Sequence, residues 1–139
     1  MNKTAKLFKS INPYTQLVID EHEVLTDSQL VRKMQLAELA FKSWRTTSFQ
    51  ERGDKMKKLA DILRSKKGEL GLLITNEMGK ILPEAIAEVE KSAGNCDYYA
   101  EKAEQILKEH YYDTPHKSMS VYDPSGAVFA IMPWNYPFC

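Results

Sequence analysis

The chain has 139 residues, enough for one domain with one core. Nineteen basic and nineteen acidic residues cancel, and an intermixed neutral surface argues against nucleic acid or an anionic membrane as the main partner. Two distant cysteines, Cys96 and Cys139, make no disulfide framework and suit a reducing compartment. The sequence has no membrane-length apolar run and no signal-peptide core, so cytoplasmic is the default expectation.

Residues 7–25 read as extended chain. Leu7 to Ile11 alternates, Asn12-Pro13-Tyr14-Thr15 signals a turn, and Leu17-Val18-Ile19 resumes a strand, so a hairpin is expected. Helical patterns follow. Thr26-Asp27-Ser28-Gln29 has the form of a capping box. Leu30, Met34, Ala37, Phe41 and Trp44 then recur on one face. Ser48-Phe49-Gln50-Glu51 repeats the box ahead of a stripe at Met56, Leu59, Ala60 and Leu63, with Gly68 as its expected stop. Leu70, Leu73, Ile74 and Met78 mark a third helix closed by Gly79.

Pro83 suits the first turn of a fourth helix, where its missing donor costs little. Ile86, Val89, Ala93, Cys96, Ala100, Ala103 and Leu107 carry that helix to His110. Such a helix would be about 42 Å long, a length suited to lying across a larger body. After a polar link from Tyr112 to His116, Ser118 to Tyr122 alternates like an edge strand. Asp123-Pro124-Ser125-Gly126 reads as a turn leading into an apolar strand, Val128 to Ile131. The fold class expected is α+β: an N-terminal hairpin, about four helices and two C-terminal strands. A lone apolar strand after helices also resembles the first strand of an α/β sheet.

Met132-Pro133-Trp134-Asn135-Tyr136-Pro137 is the most constrained stretch. Each proline fixes its own φ and pushes the residue before it, Met132 and Tyr136, toward extended backbone. Asn135 is therefore held stiffly, either as a turn residue or as a hydrogen-bond donor, and pattern alone favours the turn. Other polar candidates have plainer readings. His22, His110 and His116 lack partners at metal-ligand spacing, so no metal site is expected. Cys96 sits on an apolar stripe and reads as a small core residue, and Cys139 lacks any feature that would lower its pKa. Glu77, followed by Met78-Gly79-Lys80, reads either as an acid near an active site or as a solvent-facing helix carboxylate, and pattern alone favours the second. Phosphate loops and G-x-G-x-x-G patterns are absent from the sequence.

Several of these stretches together resemble the N-terminal part of the aldehyde dehydrogenase superfamily, most closely its succinate-semialdehyde dehydrogenase branch. Ser10-Ile11-Asn12-Pro13 is similar to the family's opening strand and turn, and Phe41-Lys42-Ser43-Trp44-Arg45 to the end of its first helix, with Arg52 in the next. Leu72 to Lys80, continued by Glu84-Ala85 and Glu88-Val89, resembles its helix-turn-helix signature. Asp123 to Pro137 resembles the stretch holding its proline-tryptophan-asparagine motif.

The resemblance implies a partial α/β Rossmann-type cofactor domain over residues 1–139. Residues 118–124 would be an oligomerisation strand, and residues 126–139 the first core strand and oxyanion turn. It implies NAD or NADP as cofactor, a small aldehyde as substrate and assembly with copies of itself or with full-length relatives. In the family a cysteine thiolate attacks the aldehyde carbonyl, hydride passes to NAD(P)+ and a glutamate base activates water. Asn135 would donate to the developing oxyanion, and Ile131, Met132, Pro133, Trp134 and Asn135 would line the cofactor's side of the cleft.

The family's nucleophilic cysteine and glutamate base have no counterpart in these residues, and Cys139 falls where the family carries a bulky apolar residue. An oxyanion donor contributes about 3–4 kcal/mol, whereas enzymes lower barriers by about 8–23 kcal/mol. The expectation is thus a truncated dehydrogenase, inactive and poorly soluble by itself. The alternatives are a non-enzymatic module that pairs with full-length subunits through the Ser118–Tyr122 strand, and, more remotely, an unrelated helical binding domain.

Overall fold

The computed structural model describes residues 6–113 and 115–139; the first five residues of the expected domain, and Thr114 of the expected polar link, lie outside them. Strands β1 (Leu7–Ile11) and β2 (Val18–Glu23) form the expected antiparallel hairpin, with Leu7 opposite Glu23 and a register shift between Ser10 and Ile11. Its turn is built by Asn12, whose Oδ1 accepts from the amides of Tyr14 and Thr15 at 2.9 and 3.0 Å. That arrangement is the side-chain mimic of a backbone turn for which asparagine is suited.

Helix α1 (Asp27–Trp44) starts at the predicted capping box. Thr26 accepts from the Gln29 amide, and the Gln29 side chain accepts from the Thr26 amide in return. Its apolar stripe is mostly uncovered: α1 contributes no buried residue, Phe41 is half-buried, and Leu30, Met34 and Trp44 are exposed. Helix α2 (Phe49–Ser65) begins at Ser48, which accepts from the Glu51 amide at 3.1 Å.

Gly68 does not stop that helix. Helix α3 (Lys67–Met78) starts immediately after Lys66, and Gly68 lies in its first turn. A change of direction at one non-helical residue is enough here, so the glycine signal misled. Gly79 does end α3, at φ 79° and ψ 14°, the left-handed conformation that glycine adopts without a Cβ penalty. Helix α4 (Leu82–Ile106) carries Pro83 in its first turn and ends four residues before His110.

The core lies where α4 crosses α2 and α3. Ala60 and Leu63 from α2, Ile74 from α3, and Ala85, Val89, Ala93 and Cys96 from α4 are buried. Met56, Leu70, Met78 and Phe138 pack around them. Small residues on α4 allow close helix contact, and the buried Val89 side chain contributes about 1.5–3 kcal/mol. Leu59 and Leu73, expected on the inner stripes, are exposed because these stripes are narrow.

Strands β3 (His110–Tyr111) and β4 (Met119–Ser120) form a second, antiparallel hairpin. The fold is α+β, as expected, with its two hairpins in separate sheets. The expected strand from Val128 to Ile131 does not form a ladder: Val128, Phe129 and Ile131 are all more than four-fifths exposed. An apolar run becomes a strand only beside a partner strand, and no other segment among the described residues lies there to pair with it. Nor does Asp123 to Gly126 form a hydrogen-bonded turn; the stretch is irregular, with Gly126 at a positive φ of 135°.

Candidate active site

The Pro-Trp-Asn-Tyr-Pro stretch folds as two successive turns. The Tyr136 amide donates to the Pro133 carbonyl at 3.2 Å, and the Cys139 amide to the Tyr136 carbonyl at 3.3 Å. Asn135 occupies the first turn, and among the described residues its side-chain amide makes no hydrogen bond. The sequence left open whether Asn135 is a turn residue or a donor. The geometry combines the two, with backbone in a turn and an amide facing outward without a partner.

Helix α4 and the Gly79 turn hold this segment from below. Lys80 Nζ donates to the Asn135 carbonyl at 2.8 Å and lies 4.0 Å from the centroid of the Tyr136 ring. Lys80 also forms an ion pair with Glu88 Oε2, whose side chain is 2% exposed against 11% for the lysine. The other carboxylate oxygen, Oε1, accepts from the Phe138 amide at 3.0 Å. Ser92, one turn further along α4, places its hydroxyl 2.9 Å from both the Phe138 and the Glu88 carbonyls. Having one proton, it is shared between them. The Phe138 side chain packs onto the helical core.

Lys80 and Glu88 belong to the helix-turn-helix stretch that carries the family resemblance, but the sequence assigns no role to them or to Ser92, and Glu88 and Ser92 look like ordinary helix-surface residues. A signal did exist. They lie four apart, each directly before a core position (Val89 and Ala93), and so share the inward face of α4.

Beside the turn is a cleft of about 340 Å³, walled by Trp134, Pro137 and Phe138 on one side and by Ser10, Glu77 and Met78 on the other. Glu77 is exposed, as the sequence suggests, yet it is not idle: Ser10 Oγ donates to its Oε1 at 2.7 Å and ties β1 to the end of α3. Trp134 lines this cleft, while Ile131 and Met132 expose apolar surface on the chain leading to Asn135 and lie outside its lining. Apolar walls with a few well-placed polar groups are what a nicotinamide-type cofactor requires, and these residues fit it in kind.

Cys139 is exposed, with its Sγ 3.3 Å from Ser92 Oγ and with no base against it, so nothing here makes it a nucleophile. Cys96 is buried in the core; burial, then the neighbouring Asp97 charge, push its thiol above the ordinary value against the opposing pull of Arg64. His22, His110 and His116 are all exposed, the first two on strands. Among the described residues no helix is long and apolar enough to cross a membrane.

Comparison with known proteins places this geometry. The model of the aldehyde dehydrogenase family matches residues 1–139. A probable succinate-semialdehyde dehydrogenase (NADP(+)) of Synechocystis sp. is 40% identical over 130 residues, covering 93% of this chain and 29% of the relative. The Escherichia coli succinate semialdehyde dehydrogenase (NAD(P)+) Sad is 37% identical over 129 residues, covering 92% of this chain and 28% of the relative. Among solved structures, succinic semialdehyde dehydrogenase from Streptococcus pyogenes in complex with NADP+ superposes with a TM-score of 0.89 at 32% identity. That match covers 94% of this chain and 29% of the neighbour. The chain thus spans under a third of the length of the relatives it matches. Motif order, helical core and the turn bearing Asn135 all agree with a match that runs the whole length of the sequence, and the chain belongs to the aldehyde dehydrogenase family.

Proposed function

We propose that these residues are the N-terminal part of the cofactor-binding domain of an NAD(P)-dependent aldehyde dehydrogenase, an oxidoreductase that converts succinate semialdehyde to the acid. In this reading Asn135 is the oxyanion donor. The observation that carries it is the free side-chain amide on a backbone fixed by Pro133 and Pro137 and anchored to α4. A donor aimed in advance at developing charge stabilises a transition state without reorganising, and removing one such donor costs about 2.7–4 kcal/mol.

Ile131, Met132, Pro133 and Trp134, with the Asn135 backbone, would hold the cofactor against their exposed apolar surface. When bound, the nicotinamide would accept the hydride leaving the aldehyde carbon. The protein's own part is to shape a dry wall, orient the carbonyl and present the Asn135 amide to its oxygen. The choice of substrate is supported by the names of the relatives from Synechocystis and Escherichia coli. The nucleophile and base implied by the resemblance are not among residues 1–139, so these residues alone are proposed to be catalytically silent.

The direct test grafts residues 1–139 onto the Streptococcus pyogenes enzyme in place of the segment they match. The graft is expected to form NADPH from succinate semialdehyde, while the 139-residue chain forms none. A folded graft without activity, or turnover by the short chain, would refute the respective part of the proposal.

A second reading is supported by β4. Its pairing with β3 occupies one edge, and Met119, Val121 and Tyr122 are exposed beside it. Residues 118–124 would then serve as a contact strand, between copies or with full-length relatives as a non-enzymatic module. Co-expression with a full-length relative tests this: a stable complex is expected, and separate elution would exclude it.

A further inference from the structure

Pro133 and Pro137 fix their own φ, but little within the turn that carries Asn135 holds it in place against the helices. Its two internal hydrogen bonds are 3.2 and 3.3 Å long, and the chain leading into it is exposed. What fixes it is a set of polar groups beneath. Glu88 and Lys80 form a nearly dehydrated ion pair, and each also bonds to the turn. Core stability does not explain such a pair, because apolar residues of similar volume serve a buried site as well or better.

We propose that Lys80, Glu88 and Ser92 are positioning residues that set the attitude of the Asn135 amide; this rests on the reading of Asn135 as oxyanion donor. The hydrogen bond from Lys80 ends on the carbonyl of Asn135 itself, so only that residue's own torsions separate the ammonium from the working amide. Lys80 has three donor directions: one meets Glu88, one meets Asn135, and the ammonium also lies over the Tyr136 ring. Glu88 and Ser92 hold the far end by the amide and the carbonyl of Phe138. Both project from a stretch of α4 locked by Ala85 and Val89, which are 0% exposed, so the reference frame is rigid.

Two probes in the 139-residue chain separate this role from a merely structural one. Amide exchange at Phe138 reads the docked turn, and thiol labelling of buried Cys96 reads the core. The doubly neutral K80M/E88Q chain is expected to speed Phe138 exchange about tenfold or more, with Cys96 still slow to label. Lys80→Arg, which keeps a cationic donor, should recover most of the protection. Ser92→Ala should show a smaller effect of the same sign. Lys80→Met alone strands a buried carboxylate and so weakens the core as well as the turn, which is why the local loss is read in the doubly neutral chain.

In the active graft, Lys80→Met is expected to lower kcat about ten- to a hundredfold at little-changed KM, with Lys80→Arg restoring it. Unchanged Phe138 exchange overturns the proposal. So does a rise at Phe138 and Cys96 in step in K80M/E88Q, which assigns the pair to core stability, or faster exchange with no fall in kcat. If Asn135→Ala itself leaves kcat intact, the reading of Asn135 fails separately, and the exchange data show whether the clamp still stands.

Discussion

Gly71 of α3 packs directly on Ile86 of α4: a Cβ added at Gly71 would lie 2.7 Å from Ile86 Cγ1 and 3.1 Å from its backbone nitrogen. The side chain could turn aside but the backbone could not, so the two helices would have to part. Gly71→Ala is therefore expected to destabilise the chain by about 1–3 kcal/mol, as overpacking does. Gly68, in the first turn of the same helix, has nothing within 4 Å of its added Cβ. Gly68→Ala should stabilise by about 0.4–1 kcal/mol through the unfolded state. Urea melts of both variants check the pair, and shifts of the same sign would contradict this packing.

Acid should loosen the join between α2, α3 and α4. Glu90 takes hydrogen bonds from Lys67 at 2.9 Å and from Arg64 at 2.9 Å, and these hold its carboxyl below the ordinary value of 4.5. Arg64 also reaches Asp97 at 2.6 Å. A group whose pKa is lower when folded stabilises fully above its unfolded value and loses that contribution as pH falls through the folded one. Stability should therefore decline on acidification below 4.5, and less steeply in Glu90→Gln. The group is solvent-exposed, so added salt should shrink the difference. Parallel stability curves for the two chains would contradict it.

The two thiols should separate cleanly. Cys96 is buried with its thiol pushed up, whereas Cys139 is exposed on the turn. At neutral pH a thiol reagent should modify one cysteine quickly, and the second only after unfolding. Two fast equivalents would place Cys96 outside the core.

How much of this could be read in the sequence depended on range. Local chemistry was legible: the Thr26–Gln29 box, the Asn12 turn, Gly79 as a helix end and Pro83 in a first turn all occur as expected. Each is decided by a few neighbouring residues. Gly68 failed because glycine marks a helix end only when its conformation is needed, and here Lys66 makes the break. Val128 to Ile131 carries the composition of a strand, but a strand is a relation between segments, and composition cannot supply the second one.

The site divides in the same way. The prolines around Asn135 announced a stiff backbone, and resemblance suggested its purpose. That Lys80 and Glu88, both within the resembling helix-turn-helix stretch, hold this turn could not be read, because they are joined by the return of the chain between α3 and α4 and Phe138 lies fifty residues from Glu88 along the sequence. Only the folded chain shows a buried carboxylate with both oxygens engaged.

Deleting one charge of the buried pair should be costly even where function is not measured. Lys80→Met leaves Glu88 charged and unpaired, an arrangement that typically destabilises by about 3–5 kcal/mol. The K80M/E88Q chain should regain much of that loss. Chemical denaturation of the three chains tests this, and a double variant no more stable than Lys80→Met would contradict it.

The measurement that bears most directly on the central claim is kcat for Asn135→Ala in the active graft. If Asn135 presents its amide to the oxyanion, kcat should fall by about a hundred- to a thousandfold, while Phe138 amide exchange stays at the parent value. A variant that keeps kcat within a few-fold of the parent, with the turn still docked, would show that the free amide of Asn135 is not the donor.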